Sequence, residues 1–126
     1  MSIFDKLLEV DTAKLAKKEK KQLEIKRLSA IFGEPFIVTC SAMSSEQFAN
    51  VVESNKESEY KEGIILEGCR VEGRKFSDNA FLEKLGEQKG INVIKKLFRS
   101  GEVNKLYNTV SQLSGYGEDA VAEVKN

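Results

Sequence analysis

The side chains that most often carry out catalysis or bind metals are sparse in this sequence. Histidine is absent, which removes the most common general base and the usual imidazole ligand for metals. The two cysteines, Cys40 and Cys69, form no CxxC pair. We expect both to be free thiols that pack as small hydrophobic residues. The sequence therefore offers no nucleophile with a base beside it.

Carboxylates are the remaining groups with catalytic or cation-binding chemistry. Glu57, Glu59 and Glu62 occur in one short segment, and Glu118 and Asp119 are adjacent near the C-terminus. Paired carboxylates can serve as acid and base or bind a hard cation. Here they lie in charge-rich stretches that are typical of a solvated surface, and the glycines form neither a Walker A loop nor GxGxxG. We assign no catalytic residue, cofactor or metal, and predict that the protein is not an enzyme.

Length and charge narrow the class of protein further. A chain of 126 residues fits one domain with a modest core. Its 20 basic and 20 acidic side chains balance, so no global charge attracts nucleic acid or a membrane surface. No apolar run approaches the roughly 20 residues of a membrane span, and the first residues lack a signal-peptide pattern. These features predict a cytoplasmic protein.

The elements that would position any site begin with residues 1–24, which contain neither glycine nor proline and predict a basic helical extension. Lysines cluster between Lys14 and Arg27. The alternative function is therefore a small nucleic-acid-binding or regulatory module that uses this segment. Acidic residues interrupt this run of lysines, and no aromatic residue that could stack on a base lies among the lysines. We therefore keep nucleic-acid binding as the alternative function.

A single domain is predicted over residues 25–126. Two runs of β-branched and aromatic residues flank Gly33, Glu34 and Pro35, and the second run alternates as a strand does, which predicts a β-hairpin over about 25–42. Ser44 and Gln47 form a capping box that predicts a helix from about Ser45. Residues 64–69 fit a helix or a strand. The fold class is α+β and mostly helical, with the hairpin packed by three to five helices.

The C-terminal part contains the most regular pattern. Apolar residues recur at helical spacing over residues 91–98 and 103–113, and Gly101 and Gly115 mark a bend and an end. These helices present the candidate partner-binding residues Leu97, Phe98, Leu106, Tyr107 and Tyr116. We expect a residue that is buried in the structure to be scaffold, and one that is exposed to be a binding candidate.

The order of these segments resembles a known family. The matching stretches are RLSAIFGEPFIVTCSAMSSEQF (27–48), IILEGC (64–69), FLEKLG (81–86) and the whole of 91–126. Together they resemble the XkdN-like tail assembly chaperones of contractile-tailed phages and phage-derived tail particles. The most specific part is the C-terminal third, which contains Leu97-Phe98, Gly101-Glu102, Leu106-Tyr107 and the Leu113–Gly117 stretch.

The resemblance implies a function as well as a fold. Such proteins bind the tape measure protein, keep it soluble while tail tube subunits polymerise around it, and then leave. The implied partners are the tape measure protein and the tail tube protein. The implied location is the bacterial host cytoplasm and not the finished tail. Self-association is left open by the sequence.

Overall fold

Residues 2–125, which are the residues described by the computed structural model, form eight α-helices and three short strands. The helices are α1 (Ile3–Glu9), α2 (Thr12–Ala16), α3 (Lys26–Phe32), α4 (Ser45–Ser54), α5 (Tyr60–Gly68), α6 (Asn79–Leu85), α7 (Gly90–Leu97) and α8 (Ser100–Ser111). The strands are β1 (Lys20–Glu24), β2 (Ile37–Ser41) and β3 (Cys69–Arg70). A 3₁₀ turn (Glu57–Glu59) precedes α5, and a π-turn (Gln112–Tyr116) follows α8. The predicted class, α+β and mostly helical, is confirmed.

The strands form one antiparallel sheet in the order β1-β2-β3, with Leu23 opposite Val38 and Cys40 opposite Cys69. The second strand of the predicted hairpin is present as β2. The first strand was predicted in the wrong place, because residues 26–32 form α3. That helix ends at Gly33, which has a left-handed φ of 71° and donates its N–H to the Ser29 carbonyl.

The first strand of the sheet is β1, which lies within the segment predicted to be a helical extension. Its sequence, KKQLE, has little intrinsic preference for a strand. Side chains alternate between the two faces, and Leu23 packs against the core from the same face as Val38. Pairing with the strongly β-forming β2 therefore overrides the local helical preference of these residues.

The segment 64–69, which the sequence left open, divides between two elements. α5 continues to Gly68, and β3 begins at Cys69. A side chain at Gly63 would approach a Val51 methyl to 2.8 Å, and one at Gly68 would approach a Val110 methyl to 3.0 Å. The two glycines therefore allow α4 and α8 to pack closely against opposite ends of α5, which makes α5 the central helix of the domain.

The core surrounds α5 and the inner face of the sheet. Its largest members are completely buried aliphatic and aromatic side chains drawn from the sheet, α5, α7, α8 and the segment before α6. They are Val38, Ile64, Ile65, Phe76, Val93, Ile94, Leu106 and Val110. Burial of this apolar surface is the main favourable contribution to folding.

The N-terminal part, α1 and α2, lies outside this core. A capping box between Ser2 and Asp5 begins α1, but neither helix contains a buried residue. Ile3, Phe4 and Leu8 in α1 are exposed. Among residues 2–125, no helix combines the length and the hydrophobicity that crossing a membrane requires.

Candidate partner-binding site

The five residues proposed from the sequence differ sharply in burial. Leu106 is 0% exposed and Phe98 is 6% exposed, and both belong to the hydrophobic core. The Phe98 ring packs edge-on against Phe76 with the ring centroids 5.4 Å apart. Leu97 and Tyr107 are partly buried, while Tyr116 is 70% exposed. In this structure Leu106 and Phe98 are scaffold positions, and Tyr116 offers the most surface.

Tyr107 and Tyr116 contribute to a common aromatic cleft. Tyr107 packs edge-on against Tyr60 with ring centroids 6.0 Å apart, and Tyr116 packs in the same way against Phe48 at 5.4 Å. These four rings, with Asn108 and Ser111, line a cavity of about 320 Å³. We call the surface formed by Phe48, Tyr60, Tyr107 and Tyr116 the aromatic cleft.

Three of the four rings of the aromatic cleft belong to helices. Phe48 lies in the first turn of α4, which begins at the predicted capping box of Ser44 and Gln47. Tyr60 is the first residue of α5, and Tyr107 lies in the middle of α8. Because α4 and α8 both pack against α5, the wall residues are brought to one side of the domain.

The π-turn after α8 positions the fourth ring. Gly115 has φ 95°, a left-handed conformation that a residue with a side chain rarely adopts, and it turns the chain so that Tyr116 meets Phe48. Ser114 fixes this turn, since its hydroxyl donates to the Val110 carbonyl (2.7 Å) and accepts from the Met43 N–H (2.9 Å). The sequence predicted only that the helix ends at Gly115. In the structure the turn at Gly115 also orients the Tyr116 ring towards Phe48.

The electrostatics of the aromatic cleft favour an uncharged occupant at its centre. Burial raises the pKa of the Tyr60 phenol above its usual value, and none of the described Asp, Glu, Lys or Arg residues lines the cavity of the cleft. At one end, Lys61 Nζ lies 5.6 Å from the centroid of the Tyr107 ring. On the other side, Tyr116 also borders a groove of about 660 Å³ that carries Glu118 and Asp119. An uncharged centre is thus flanked by charges of opposite sign.

Two residues of the aromatic cleft were not among the sequence candidates. Phe48 follows the predicted capping box by one position, and Tyr60 lies among Glu57, Glu59 and Glu62, in a stretch that was interpreted as a solvated surface. A single aromatic residue within a charged segment indicates a packing or binding position, because burial of its large ring is favourable. In residues 2–125, no three Asp, Glu or Cys side chains are grouped so that they could share a metal ion.

The basic segment needed by the alternative function is divided among several elements. Lys14 lies in α2, Lys20 and Lys21 lie in β1, and Arg27 lies in α3. Arg27 is engaged by the Glu102 carboxylate and the Leu97 carbonyl. The lysines and Arg27 therefore do not form one continuous helical face.

Comparison with known proteins identifies a family for this chain. No curated protein and no solved structure matches the chain. The sequence profile of the phage XkdN-like tail assembly chaperone family matches residues 4–125, which is nearly the entire chain. The chain therefore belongs to the XkdN-like family of phage tail assembly chaperones.

Proposed function

We propose that this protein is a non-enzymatic chaperone that binds the tape measure protein of its phage through the aromatic cleft. The observation that carries the proposal is the position of Tyr116, which is 70% exposed yet fixed against Phe48. Tyrosine is enriched at binding surfaces, because its rigid ring contributes a large contact area at a small cost in conformational entropy. A surface held ready in this way suits a partner that inserts an apolar side chain.

The chemistry of the surface indicates what kind of segment fits. A cleft of about 320 Å³ accommodates one or two large apolar side chains rather than a whole helix. An amphipathic helix can place such residues at positions i and i+4 into the cleft while it lies across the surface. Basic residues on its adjoining face would meet Glu118 and Asp119. We therefore propose an amphipathic, basic helical segment of the tape measure protein as the ligand.

A co-expression experiment tests this proposal. The tape measure protein is produced with the natural chaperone, with Tyr116→Ala, or with Phe32→Ala. Phe32 is a matched control, since it is a 59% exposed aromatic residue that stacks on Phe36, outside the aromatic cleft. We expect soluble tape measure protein, and its recovery by pull-down, with the natural chain and Phe32→Ala. Tyr116→Ala should lower recovery by about tenfold, as expected for loss of an interface aromatic anchor.

Each outcome has a distinct meaning. Tape measure protein that precipitates in the presence of excess natural chaperone would remove the chaperone function. Binding that is lost with Phe32→Ala and kept with Tyr116→Ala would refute the aromatic cleft as the binding surface and transfer the binding to the surface around Phe32. Equal binding by all three chains would show that neither aromatic residue contributes.

We further propose that the tail tube protein displaces the chaperone while the tube polymerises around the tape measure protein. The chaperone would act in the bacterial host cytoplasm of a contractile-tailed phage or tail particle and would be absent from the finished tail. A small cleft supports reversible binding, since large apolar interfaces are typical of permanent complexes. Tube protein is added to the purified complex without ATP, and the expected result is free chaperone with growing tubes. Retention of the chaperone would contradict displacement by competition.

A further inference from the structure

The strand β1 is an open edge of the sheet. Within residues 2–125, β1 pairs with β2 alone. The Ile25 N–H donates to the Phe36 carbonyl, and the Glu19 carbonyl accepts from the Ala42 N–H. In an antiparallel ladder the residues that bond to one neighbour alternate with residues whose backbone groups face the other side. The N–H and C=O groups of Lys20, Gln22 and Glu24 therefore point outward from the sheet.

The sequence of this edge is complementary to itself. When two copies of β1 lie antiparallel and are centred on Gln22, Lys20 of each copy lies opposite Glu24 of the other. Lys21 then lies opposite Leu23, against which its aliphatic stem can pack. The outward-facing residues Lys20, Gln22 and Glu24 fall opposite outward-facing residues of the second copy. In this one register the outward-facing backbone groups of the two strands can hydrogen-bond to each other, and Lys20 lies opposite a residue of opposite charge.

From this pattern we propose that a second copy of the chain pairs along β1. The two three-stranded sheets then join into one six-stranded antiparallel sheet about a twofold axis at Gln22. A twofold contact of this kind is isologous, so each favourable pair occurs twice. Because β1 has only five residues, the dimer is expected to dissociate readily on dilution. This association is separate from the aromatic cleft and does not depend on the proposed chaperone function.

The lysines of β1 select the register. Lysine on an edge strand commonly discourages pairing, because like charges would meet. Shifting the centre of symmetry to residue 21 sets Lys21 against its own copy. Shifting it to residue 23 leaves Lys20 and Lys21 with no opposite residue inside β1, because the opposite positions would be Lys26, which lies in α3, and Ile25. The register centred on Gln22 pairs all five residues of β1 and forms two Lys20–Glu24 pairs.

A charge exchange tests the proposal with its own control. Sedimentation equilibrium is measured over a wide concentration range for the natural chain, for Lys20→Glu, for Glu24→Lys and for the double variant. Each single variant places like charges opposite each other twice, and we expect the dimer to be weaker by about tenfold or more. The double variant restores opposite charges at both positions and should recover dimerisation. Recovery would show pairing between these two residues rather than a general effect of charge.

A proline substitution tests the backbone contribution. Gln22→Pro removes an N–H that faces outward, so the pairing of β1 with β2 is kept while edge pairing is blocked. We expect a folded monomer, with helix content by circular dichroism unchanged. A natural chain that stays monomeric at every concentration would overturn the proposal. A dimer that persists in Gln22→Pro, or that the single charge variants leave unchanged, would also overturn it.

Discussion

Arg27 and Glu102, which are 75 positions apart, form a two-pronged ion pair that holds α3 against the first turn of α8. The Nη2–Oε1 distance is 2.9 Å and the Nε–Oε2 distance is 3.1 Å. Arg27 also donates to the Leu97 carbonyl at 2.7 Å, and Glu102 accepts the Arg99 N–H at 2.8 Å. One carboxylate thus caps α8 and binds the helix that follows the edge strand.

This pair makes stability depend on pH through Glu102. The hydrogen bond from Arg27 lowers the pKa of Glu102, so its stabilising effect is present above the unfolded pKa of about 4.3 and is lost as the pH falls through the lower folded pKa. Glu102→Gln removes this contribution. We expect urea denaturation to show the variant less stable at pH 7, with the difference shrinking towards pH 3. Parallel pH profiles for the two proteins would contradict the assignment.

Other carboxylates also make the stability of the protein fall in acid, but they do not affect the difference between the natural chain and Glu102→Gln. Hydrogen bonds from lysine also lower the pKa values of Glu59 and Glu87, so both carboxylates lose stabilising effect in acid. They are present in both chains and cancel in the difference. The measured narrowing between pH 7 and pH 3 therefore reports on Glu102.

Substitution of a buried residue in the C-terminal part should lower the free energy of unfolding more than substitution of an exposed one. Leu106→Ala leaves a cavity in the core and should lower the free energy of unfolding by about 2–5 kcal/mol. Tyr116→Ala removes only an exposed ring that packs on Phe48, and should cost less than about 1 kcal/mol. Chemical denaturation of both variants measures the difference. Equal losses would mean that Tyr116 is a core residue in solution.

Two helical glycines should respond to alanine in opposite ways. At Gly90 a methyl group would meet Leu66 Cδ1 at 2.6 Å and the Ser77 backbone at 3.2 Å, so Gly90→Ala should destabilise by about 1–3 kcal/mol. At Gly101, in the first turn of α8, nothing lies within 4 Å of the added methyl. Gly101→Ala should stabilise by up to about 1 kcal/mol, because alanine restricts the unfolded chain. Thermal melting of the two variants checks the sign of each change.

The cysteines should be unreactive in the folded protein. Cys40 and Cys69 are completely buried, with their Sγ atoms 3.6 Å apart across neighbouring strands. The hydrogen bond that Cys69 donates to Cys40, together with burial, raises the pKa of the Cys69 thiol, so little of its reactive thiolate forms. The same hydrogen bond lowers the pKa of Cys40, whose protection therefore rests on its complete burial. A thiol-specific chromogenic reagent should label neither residue in buffer and both in denaturant. Rapid labelling without denaturant would mean that the sheet opens locally between β2 and β3.

Local signals predicted the elements whose boundaries depend on local contacts. Ser44 and Gln47 predicted the start of α4, because a capping box is closed within a few residues. The alternation around Val38 and Cys40 predicted β2, because both residues face the core. Gly115 was correctly recognised as a break after α8, although the π-turn around it was not foreseen.

Elements that depend on contacts with distant parts of the chain were harder to predict from the sequence. Nothing local in KKQLE favours a strand, and β1 forms because β2 offers an edge. The helix α3 was interpreted as a strand because the run before Gly33 contains the β-branched and aromatic residues Ile25, Ile31 and Phe32, which are common in strands. The aromatic cleft has the same origin. Tyr107 and Tyr116 were candidates from the C-terminal pattern, but only packing of α4 and α8 against α5 brings Phe48 and Tyr60 beside them.

The hydrogen bond between Met43 and Ser114 spans 71 positions and joins the entrance of α4 to the turn that carries Tyr116. Phe48 and Tyr116 meet in the aromatic cleft only after these two distant segments have come together, a step with an entropic cost. The cleft is therefore a property of the completed fold and is absent from a partly folded chain. Any ligand that binds only the completed cleft raises the free energy of unfolding of the whole domain by mass action. The affinity for the partner and the gain in stability on binding are therefore thermodynamically linked.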